Sequence, residues 1–240
     1  MKLLPSFYQV GGPALTHPND ATAFLLPVGE KLALIDCCTP EGYDALLQNI
    51  RALGFDPADV LEIYATHGHY DHIGAAALFE RDFGTTLHLH GEDRAAVDAC
   101  DPIMTTARLL YGQDFPPVRN ILPLTDGERM ETDAGVLEVI HTPGHTPGSC
   151  CFALEHVCGI RVLIAGDTLH GGFSHKIGSD EARWRESLDR LCSLDFDCYV
   201  MGHCNPILFC DANRRIDSLR RSFANYYTPW FKTFYESYPY

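Results

Sequence analysis

Three histidines and one aspartate crowd into six consecutive positions of this chain, as His67, His69, Asp71 and His72. Imidazole nitrogens and carboxylate oxygens are the usual ligands of zinc. His67 and His69 are two residues apart, so their side chains can point the same way if the backbone is extended. Asp71 and His72 are adjacent and cannot share that direction. This geometry predicts two metal ions side by side, the first held by the histidine pair and the second by the neighbouring aspartate and histidine.

The motif stands between two elements of different type. Before it, residues 60–65 form an apolar run rich in β-formers, which predicts a buried strand. After it, residues 74–83 are dominated by Ala, Leu and Phe, which predicts a helix. The motif is therefore expected on a loop at the carboxyl end of a strand, where α/β sheets place their ligands.

Three further candidate ligands each follow an apolar, strand-like run of the sequence. They are His145 after residues 136–140, Asp167 after residues 162–165, and His203 after residues 198–201. A glycine precedes both Asp167 and His203, where the backbone must turn tightly. Four separate strand ends that deliver ligands are far more specific for a metal site than any single motif. They are also hard to reconcile with a polar loop that is rich in histidine by chance.

The series His-x-His-x-Asp-His, then a lone His, a lone Asp and a lone His, resembles the ligand series of the metallo-β-lactamase superfamily. The resemblance covers roughly residues 23–206, and no metal ligand is missing. It implies an α/β fold, the αβ/βα four-layer sandwich, with a dinuclear metal site at one edge of the two sheets. Carried over by position, the resemblance implies that metal one is held by His67, His69 and His145, metal two by Asp71, His72 and His203, and that Asp167 bridges them.

The implied cofactors are two divalent metal ions, Zn²⁺ first, with Fe or Mn as alternatives. Two ions ~3.5–4 Å apart can share a bridging hydroxide. Zinc lowers the pKa of bound water to around 7, so that hydroxide is available at neutral pH. The sequence therefore predicts a hydrolase whose bridging hydroxide attacks a carbonyl or phosphorus, with no Ser or Cys nucleophile. Asp71 counts here as a catalytic as well as a metal-binding residue.

Comparison with subfamilies bears on the substrate. The full His/Asp set resembles hydroxyacylglutathione hydrolases (glyoxalase II) and N-acyl homoserine lactone lactonases. The former carry a basic residue nine positions after the bridging Asp that contacts a glutathione carboxylate, and here that position is Lys176. Their glutathione-binding Tyr is replaced by Asn205, and their longer helical C-terminal domain is missing or much reduced. The lactonases carry a catalytic Tyr three positions after the bridging Asp, and here that position is His170.

The predicted activity is hydrolysis of an ester-like bond, a thioester or a lactone, in a small-molecule substrate. His170 is predicted to act as a donor to substrate or leaving group, and Lys176 to bind an anionic part of the substrate; each is otherwise a surface residue. The alternatives are a phosphodiester or phosphotriester hydrolase, a mononuclear-iron persulfide dioxygenase, and a non-catalytic metal-binding protein. β-Lactam hydrolysis is a minor alternative, because many zinc β-lactamases have Cys, or lack the carboxylate, where this chain has Asp167.

Composition narrows the partners and the compartment. The 240 residues carry a net charge of −14, from 18 basic and 32 acidic side chains, which disfavours nucleic acid or an anionic membrane as the main partner. No apolar stretch reaches membrane length, and the first residues lack the apolar region of a signal peptide. The ten cysteines contain no Cys-x-x-Cys pair and indicate buried thiols in a reducing compartment. A cytoplasmic location is therefore expected.

The chain is predicted to form a single domain over residues 1–240, with two segments of special interest. Residues 101–120 have helix-like apolar spacing and fall where the family often inserts a substrate-covering segment. They are expected either to form an apolar wall or lid over the metals, or simply to pack against the rest of the domain. Residues 211–240 form a helical and then aromatic-rich tail, expected to dock on its own domain, to shape the pocket or to join a homodimer.

Overall fold

Two mixed β-sheets occupy the centre of the computed structural model, which describes residues 1–170, 172–203 and 208–224. Seven strands form the first sheet, side by side in chain order: β1 (Lys2–Leu4), β2 (Phe7–Gly11), β3 (Ala23–Val28), β4 (Lys31–Ile35), β5 (Val60–Tyr64), β6 (Thr86–His90) and β7 (Ile121–Leu124). Pairing is antiparallel from β1 to β4 and parallel from β4 to β7.

The second sheet has five strands in the spatial order β12-β11-β10-β9-β8. They are β8 (Arg129–Thr132), β9 (Gly135–His141), β10 (Cys150–His156), β11 (Arg161–Ile164) and β12 (Cys198–Val200). The pairs from β8 to β11 are antiparallel, and β11 and β12 are parallel. Consequently β9, β11 and β12 all run in the same direction.

Helices cover the outer faces of both sheets. They are α1 (Tyr43–Ala52), α2 (Tyr70–Ile73), α3 (Ala76–Phe83), α4 (Gly91–Asp98), α5 (Ala107–Tyr111), α6 (Glu181–Cys192) and α7 (Ala212–Ala224), with short 3₁₀ turns at Pro40–Gly42, Pro57–Asp59 and His175–Ile177. One apolar core lies between the sheets, a second under the helices of the first sheet, and a third under α6 and α7. This is the αβ/βα four-layer sandwich expected from the sequence.

Local sequence signals explain where several helices begin and end. The Thr39 side chain accepts a hydrogen bond from the Gly42 amide ahead of α1, and Asp180 accepts from the first amides of α6. Gly84 ends α3 in the left-handed conformation, with φ of +71°. These signals give the chain the alternation of strands and helices that a four-layer fold requires.

The strand directions bring the candidate ligands to one edge. The motif begins just after β5, at the carboxyl end of that strand. The strands β4, β6 and β7 run parallel to β5, so their carboxyl ends lie at the same edge of the first sheet. His145, Asp167 and His203 follow β9, β11 and β12, whose carboxyl ends share an edge of the second sheet. Backbone hydrogen bonds join the two edges, as from the Cys150 amide to the Thr66 carbonyl at 2.7 Å. The ligands of the two sheets therefore face each other.

Two expectations about local structure need correction. Asp71 and His72 lie in the short helix α2, so the predicted loop is helical in its second half, and α3 starts at Ala76. In residues 101–120 only α5 is helical, because Gly112 ends it in the left-handed conformation and two prolines follow at 116 and 117. Of the C-terminal tail, the described part is α7, and the aromatic residues from 225 onward lie outside the described residues.

Among the described residues, none of the helices combines the length and the apolar character that crossing a membrane would need.

Candidate metal centre

Three imidazole rings meet at the junction of the two sheets. His67 and His69 come from the segment after β5, and His145 comes from the β9–β10 loop. The Nδ1 atom of His69 lies 2.9 Å from Nε2 of His67 and 3.1 Å from Nε2 of His145. Nitrogen ligands around a tetrahedral zinc ion lie about 3.3 Å apart. All three side chains are buried, and their nitrogens are grouped closely enough to hold one metal ion.

A second group combines one carboxylate with two imidazoles. Oδ2 of Asp71 lies 3.1 Å from Nε2 of His203 and 3.7 Å from Nε2 of His72. The two histidine Nε2 atoms are 3.4 Å apart. These three atoms could hold a second metal ion. The structure thus brings together the residues that the resemblance assigns to metal one and to metal two. A third possible group, His67, His72 and Asp167, spans the two.

Asp167 stands between the two groups. Its Oδ2 lies 3.4 Å from Nε2 of His145 and 3.3 Å from Nε2 of His203, so one carboxylate faces both sets of ligands. Its Oδ1 is buried without a hydrogen-bond partner among the described residues, 3.4 Å from Nε2 of His72. A buried carboxylate oxygen in that position is costly unless a cation compensates it. The donor set and this oxygen therefore fit a pair of metal ions.

The pKa values of the candidate histidine ligands are shifted in two opposite directions. Burial, followed by the charge of neighbouring imidazoles, lowers the pKa of His67 and of His69 well below the ordinary value. These rings are neutral at pH 7, as a metal ligand must be. Burial also lowers the pKa of His203, but the carboxylates of Asp167 and Asp71 outweigh burial and raise it to about 10. The carboxylates around the second group thus attract positive charge strongly, whether it is a proton or a metal ion.

Asp36, at the end of β4, orients the ring of His72. Its Oδ2 accepts from Nδ1 of His72 at 2.8 Å and from the Thr66 hydroxyl at 2.8 Å, and its Oδ1 accepts from the Thr66 amide at 2.8 Å. With Nδ1 protonated, His72 turns its other nitrogen, Nε2, towards the second group. Asp36 adopts a φ of +56°, which Asp tolerates better than most residues.

The ring of His145 is fixed in the same manner by the backbone. Its Nδ1 donates to the Gly172 carbonyl at 2.7 Å, so that Nε2 faces the first group. The Ser179 hydroxyl donates to the His145 carbonyl at 2.7 Å. The segment from 172 to 179, which carries Lys176, is therefore bonded to the His145 loop near both of its ends.

Asp93, at the start of α4, ties the two ligand loops together. Its Oδ2 accepts from the Gly68 amide at 2.9 Å and from the Thr146 hydroxyl at 2.8 Å, and its Oδ1 accepts from the Gly148 amide at 2.7 Å. Asp93 is buried, with 5% of the residue exposed. One buried side chain thus joins the loop of the first sheet to the loop of the second.

The two residues predicted to contact the substrate, His170 and Lys176, lie in different surroundings. The ring centroid of His170 lies 5.8 Å from that of His203, which brings His170 beside the second group. Lys176 is exposed in the turn at His175–Ile177, and among the described residues no ion pair of its side chain is found.

Residues 101–111 lie between the motif and the Lys176 loop. The Thr105 carbonyl accepts from the Tyr70 amide at 2.7 Å. Tyr111 is half-buried, and the centroid of its ring lies 5.5 Å from that of Tyr70. The Tyr111 hydroxyl faces the carboxylate of Asp71. On the other side, Met104 approaches Gly178, since a Cβ at that glycine would lie 3.2 Å from the Met104 Cε. This part of the 101–120 segment therefore borders the site.

A separate group of potential ligands, His90, Glu92 and His141, is poorly arranged for a metal ion. The two rings are stacked, with centroids 3.8 Å apart and planes 19° apart. Nitrogen lone pairs lie in the ring plane, so stacked rings cannot aim them at one point. Both carboxylate oxygens of Glu92 already accept from Arg183, at 2.7 and 3.0 Å. His90 is the last residue of β6, and its side chain caps α4 by accepting a hydrogen bond from the Glu92 amide.

Sequence reasoning did not identify Asp36, Asp93 and Tyr111 as part of the site. Asp36 carried a signal, because it ends a strand next to the strand that precedes the motif. Asp93 is separated by more than 20 residues from the motif and by more than 50 from Thr146, and nothing in its own neighbourhood marks it. Tyr111 belongs to a segment whose role was left open between wall and packing.

The chain resembles known proteins over most of its length. The family model described as "Metallo-beta-lactamase superfamily" matches residues 18–203. A probable metallo-hydrolase of Methanocaldococcus jannaschii is 31% identical over 159 residues, which are 66% of this chain and 69% of that protein. A hydroxyacylglutathione hydrolase of Pseudomonas aeruginosa is 29% identical over 165 residues, which are 68% of this chain but 51% of that enzyme.

Solved structures show the same architecture. A metallo-beta-lactamase family protein from Thermus thermophilus superimposes with a TM-score of 0.74 and 29% identity, covering 93% of this chain and 81% of the other. A B3 metallo-beta-lactamase with an active-site glutamic acid gives a TM-score of 0.72 at 24% identity, covering 91% and 86% of the two chains, which shows the shared fold alone. With a matching family model, metallo-hydrolase relatives and these His/Asp clusters, the chain belongs to the metallo-beta-lactamase superfamily and carries the fold and candidate metal ligands of its hydrolases.

Proposed function

We propose that this protein is a dinuclear metal hydrolase that cleaves an ester-like bond, a thioester or a lactone, in a small-molecule substrate. The observation that carries the proposal is the position of Asp167, whose carboxylate faces the ligands of both groups. A protein that used one metal ion would have no need of the second group, in which Asp71 and His72 are buried and His203 is partly buried. A cytoplasmic location and a homodimer stay predictions from the sequence.

The ligand roles follow the two groups. His67, His69 and His145 would hold one ion, Asp71, His72 and His203 the other, and Asp167 would lie between them. Divalent ions of the zinc type, when bound, supply a water activated at neutral pH and a Lewis acid for the oxygen of the scissile bond. Asp71 is assigned to catalysis as well as to binding, because Tyr111 and His203 both approach its carboxylate.

The remaining roles belong to residues around the ligands. His170, whose ring lies beside that of His203, would donate a proton or a hydrogen bond to the substrate or the leaving group. Lys176, on its exposed turn, would bind a negatively charged part of the substrate away from the scissile bond. Residues 101–111 supply a wall with exposed apolar side chains at Ile103 and Leu110. An acyl compound with an anionic end matches these features better than a nucleic acid does.

Metal analysis of the purified protein tests the dinuclear assignment. We expect two zinc ions per chain, whereas one iron per chain would favour a mononuclear dioxygenase and no metal would reject the proposal. In His67→Ala the first group loses a ligand, and in His203→Ala the second does, so each variant should keep one ion after dialysis. If both variants keep two tightly bound ions, the assignment of ligands is wrong.

A hydrolysis screen tests the bond that is cleaved. Thioesters, lactones, phosphodiesters, phosphotriesters and β-lactams should be compared at equal concentration with the zinc-loaded protein. We expect kcat/KM to be largest for a thioester or a lactone, and to disappear in the His67→Ala variant. A preference for a phosphoester by about tenfold or more would replace the proposed substrate class while leaving the metal centre in place.

A further inference from the structure

Cys198 and Cys210 form a close pair of thiols at the base of the segment that carries His203. Their Sγ atoms are 2.8 Å apart. Cys198 is buried as the first residue of β12, whereas Cys210 is exposed. Nine cysteines of the described residues are free thiols, and this is the pair whose sulfur atoms lie in direct contact.

The backbone holds this pair in register. Tyr199 and Phe209 form an isolated antiparallel bridge and exchange both backbone hydrogen bonds, at 2.8 and 3.1 Å. The residues next to such a pair face each other in the non-hydrogen-bonded position, where Cα atoms approach to about 4.5 Å. That separation lies inside the range of Cα distances that a disulfide spans. The two sulfur atoms can therefore bond without a rearrangement of the strands.

We propose that Cys198 and Cys210 are a modification site, a thiol pair that low-molecular-weight disulfides such as oxidised glutathione convert into a disulfide. This bond closes a ring of chain that contains His203. The disulfide thereby restrains the segment that delivers His203 to the second group, and so slows the release of a metal ion from that group. This effect on metal release rests on the proposed function.

The chemistry proceeds by two thiol–disulfide exchanges. The exposed Cys210 loses its proton and its thiolate attacks oxidised glutathione, which breaks the glutathione S–S bond and releases one glutathione thiolate. Cys198 then loses its proton and attacks the Cys210 sulfur of the mixed disulfide, which releases the second glutathione. The two cysteines are oxidised, and one oxidised glutathione is reduced to two thiols. Burial, followed by the neighbouring Cys210 thiol, raises the pKa of Cys198 to about 12. In the mixed disulfide Cys210 is no longer a thiol, so its contribution to the raised pKa disappears.

The position of Met201 allows the bond to be detected directly. Cyanogen bromide cleaves after the four methionines, and Met201 separates Cys198 from Cys210. After treatment with oxidised glutathione and alkylation of the remaining thiols, fragments 131–201 and 202–240 should stay joined until a reductant is added. The Cys210→Ser variant should give separate fragments.

A matched control is available in the same fragment. Cys204→Ser removes the other cysteine of residues 202–240 and should leave the fragments joined. Cys198→Ala provides a second variant that should separate them. If wild-type fragments separate, or if Cys210→Ser leaves them joined, the assignment of the pair is overturned.

A second readout concerns the metal ions themselves. The zinc-loaded protein, oxidised and reduced, is mixed with a chelator, and the release of each ion is followed over time. We expect one ion of the oxidised protein to leave several-fold more slowly, and Cys210→Ser to show no such difference between the two conditions. Equal rates in protein whose disulfide has been verified would overturn the restraint on His203, while the metal content would still test the proposed function separately.

Discussion

Asp36 provides the sharpest test of how the metal centre is positioned, because it touches no metal-facing atom. Replacing Asp36 by Asn changes one oxygen to an NH₂ group and keeps the size of the side chain. Asn also tolerates the φ of +56° at this position. If the amide nitrogen occupies the place of Oδ2, it donates to Nδ1 of His72, which must then be unprotonated. The proton of His72 moves to Nε2, the nitrogen that faces the second group, and this nitrogen can no longer bind a metal ion.

The opposite orientation of the amide is no better. The amide nitrogen would then face the Thr66 amide, which now donates to the Asp36 carboxylate at 2.8 Å, and two donors would oppose each other. Loss of such a partner to a ligating histidine typically costs about 10- to 100-fold in metal affinity. That factor corresponds to about 1.4–2.8 kcal/mol of binding free energy.

The assay is a zinc titration of Asp36→Asn in competition with a chelator, with thermal unfolding as a measure of stability. We expect one ion to bind about 10- to 100-fold more weakly and the other to change little. The Asp20→Asn variant is the matched control. Asp20 is fully buried and accepts hydrogen bonds from the amide and the hydroxyl of Thr39, but it is hydrogen-bonded to none of the candidate histidine ligands. Unchanged affinity in Asp36→Asn, or an equal loss in Asp20→Asn, would refute the proposed role of Asp36.

Three further variants test other parts of the site. Gly202→Ala places a Cβ 2.2 Å from Oδ1 of Asp167, so we expect weakened binding of both ions in the same titration, and unaltered binding would contradict the close packing. Asp167→Asn should lower kcat by more than about tenfold with a smaller change in unfolding temperature, and wild-type turnover would reject the bridging role. Lys176→Ala should raise KM several-fold for anionic substrates with kcat nearly unchanged, an effect on the order of 1 kcal/mol that neutral substrates should lack. The exposed Lys31→Ala is its control.

The candidate metal ligands could be proposed from the sequence because the motif and the three lone residues each follow an apolar run that predicts a strand. Apolar runs of about four to six residues reveal strands, and parallel strands must deliver their carboxyl ends to one edge. The strands at residues 150–156 and 121–124 were harder to find. The first is apolar on both faces and has no alternation, since it is buried between its neighbours, and the second is a short edge strand.

The supporting residues depend on contacts between distant parts of the chain. Asp93 accepts hydrogen bonds from residues 25, 53 and 55 positions away, and such pairings leave no local pattern in the sequence. The helical conformation of Asp71 and His72 has a similar cause. The Tyr70 amide is bonded to the Thr105 carbonyl, so tertiary contacts decide where that helix begins.

The division of the ligands between the two sheets has a thermodynamic consequence. The first group takes His67 and His69 from one sheet and His145 from the other, and the second group is divided in the same manner by His203. Neither half of the chain therefore contains all the candidate ligands of either proposed ion. Metal affinity is then linked to the docking of the halves, because any state in which they separate loses ligands of both ions at once. Binding of the proposed metal ions would therefore be coupled to the docking of the two halves of the sandwich.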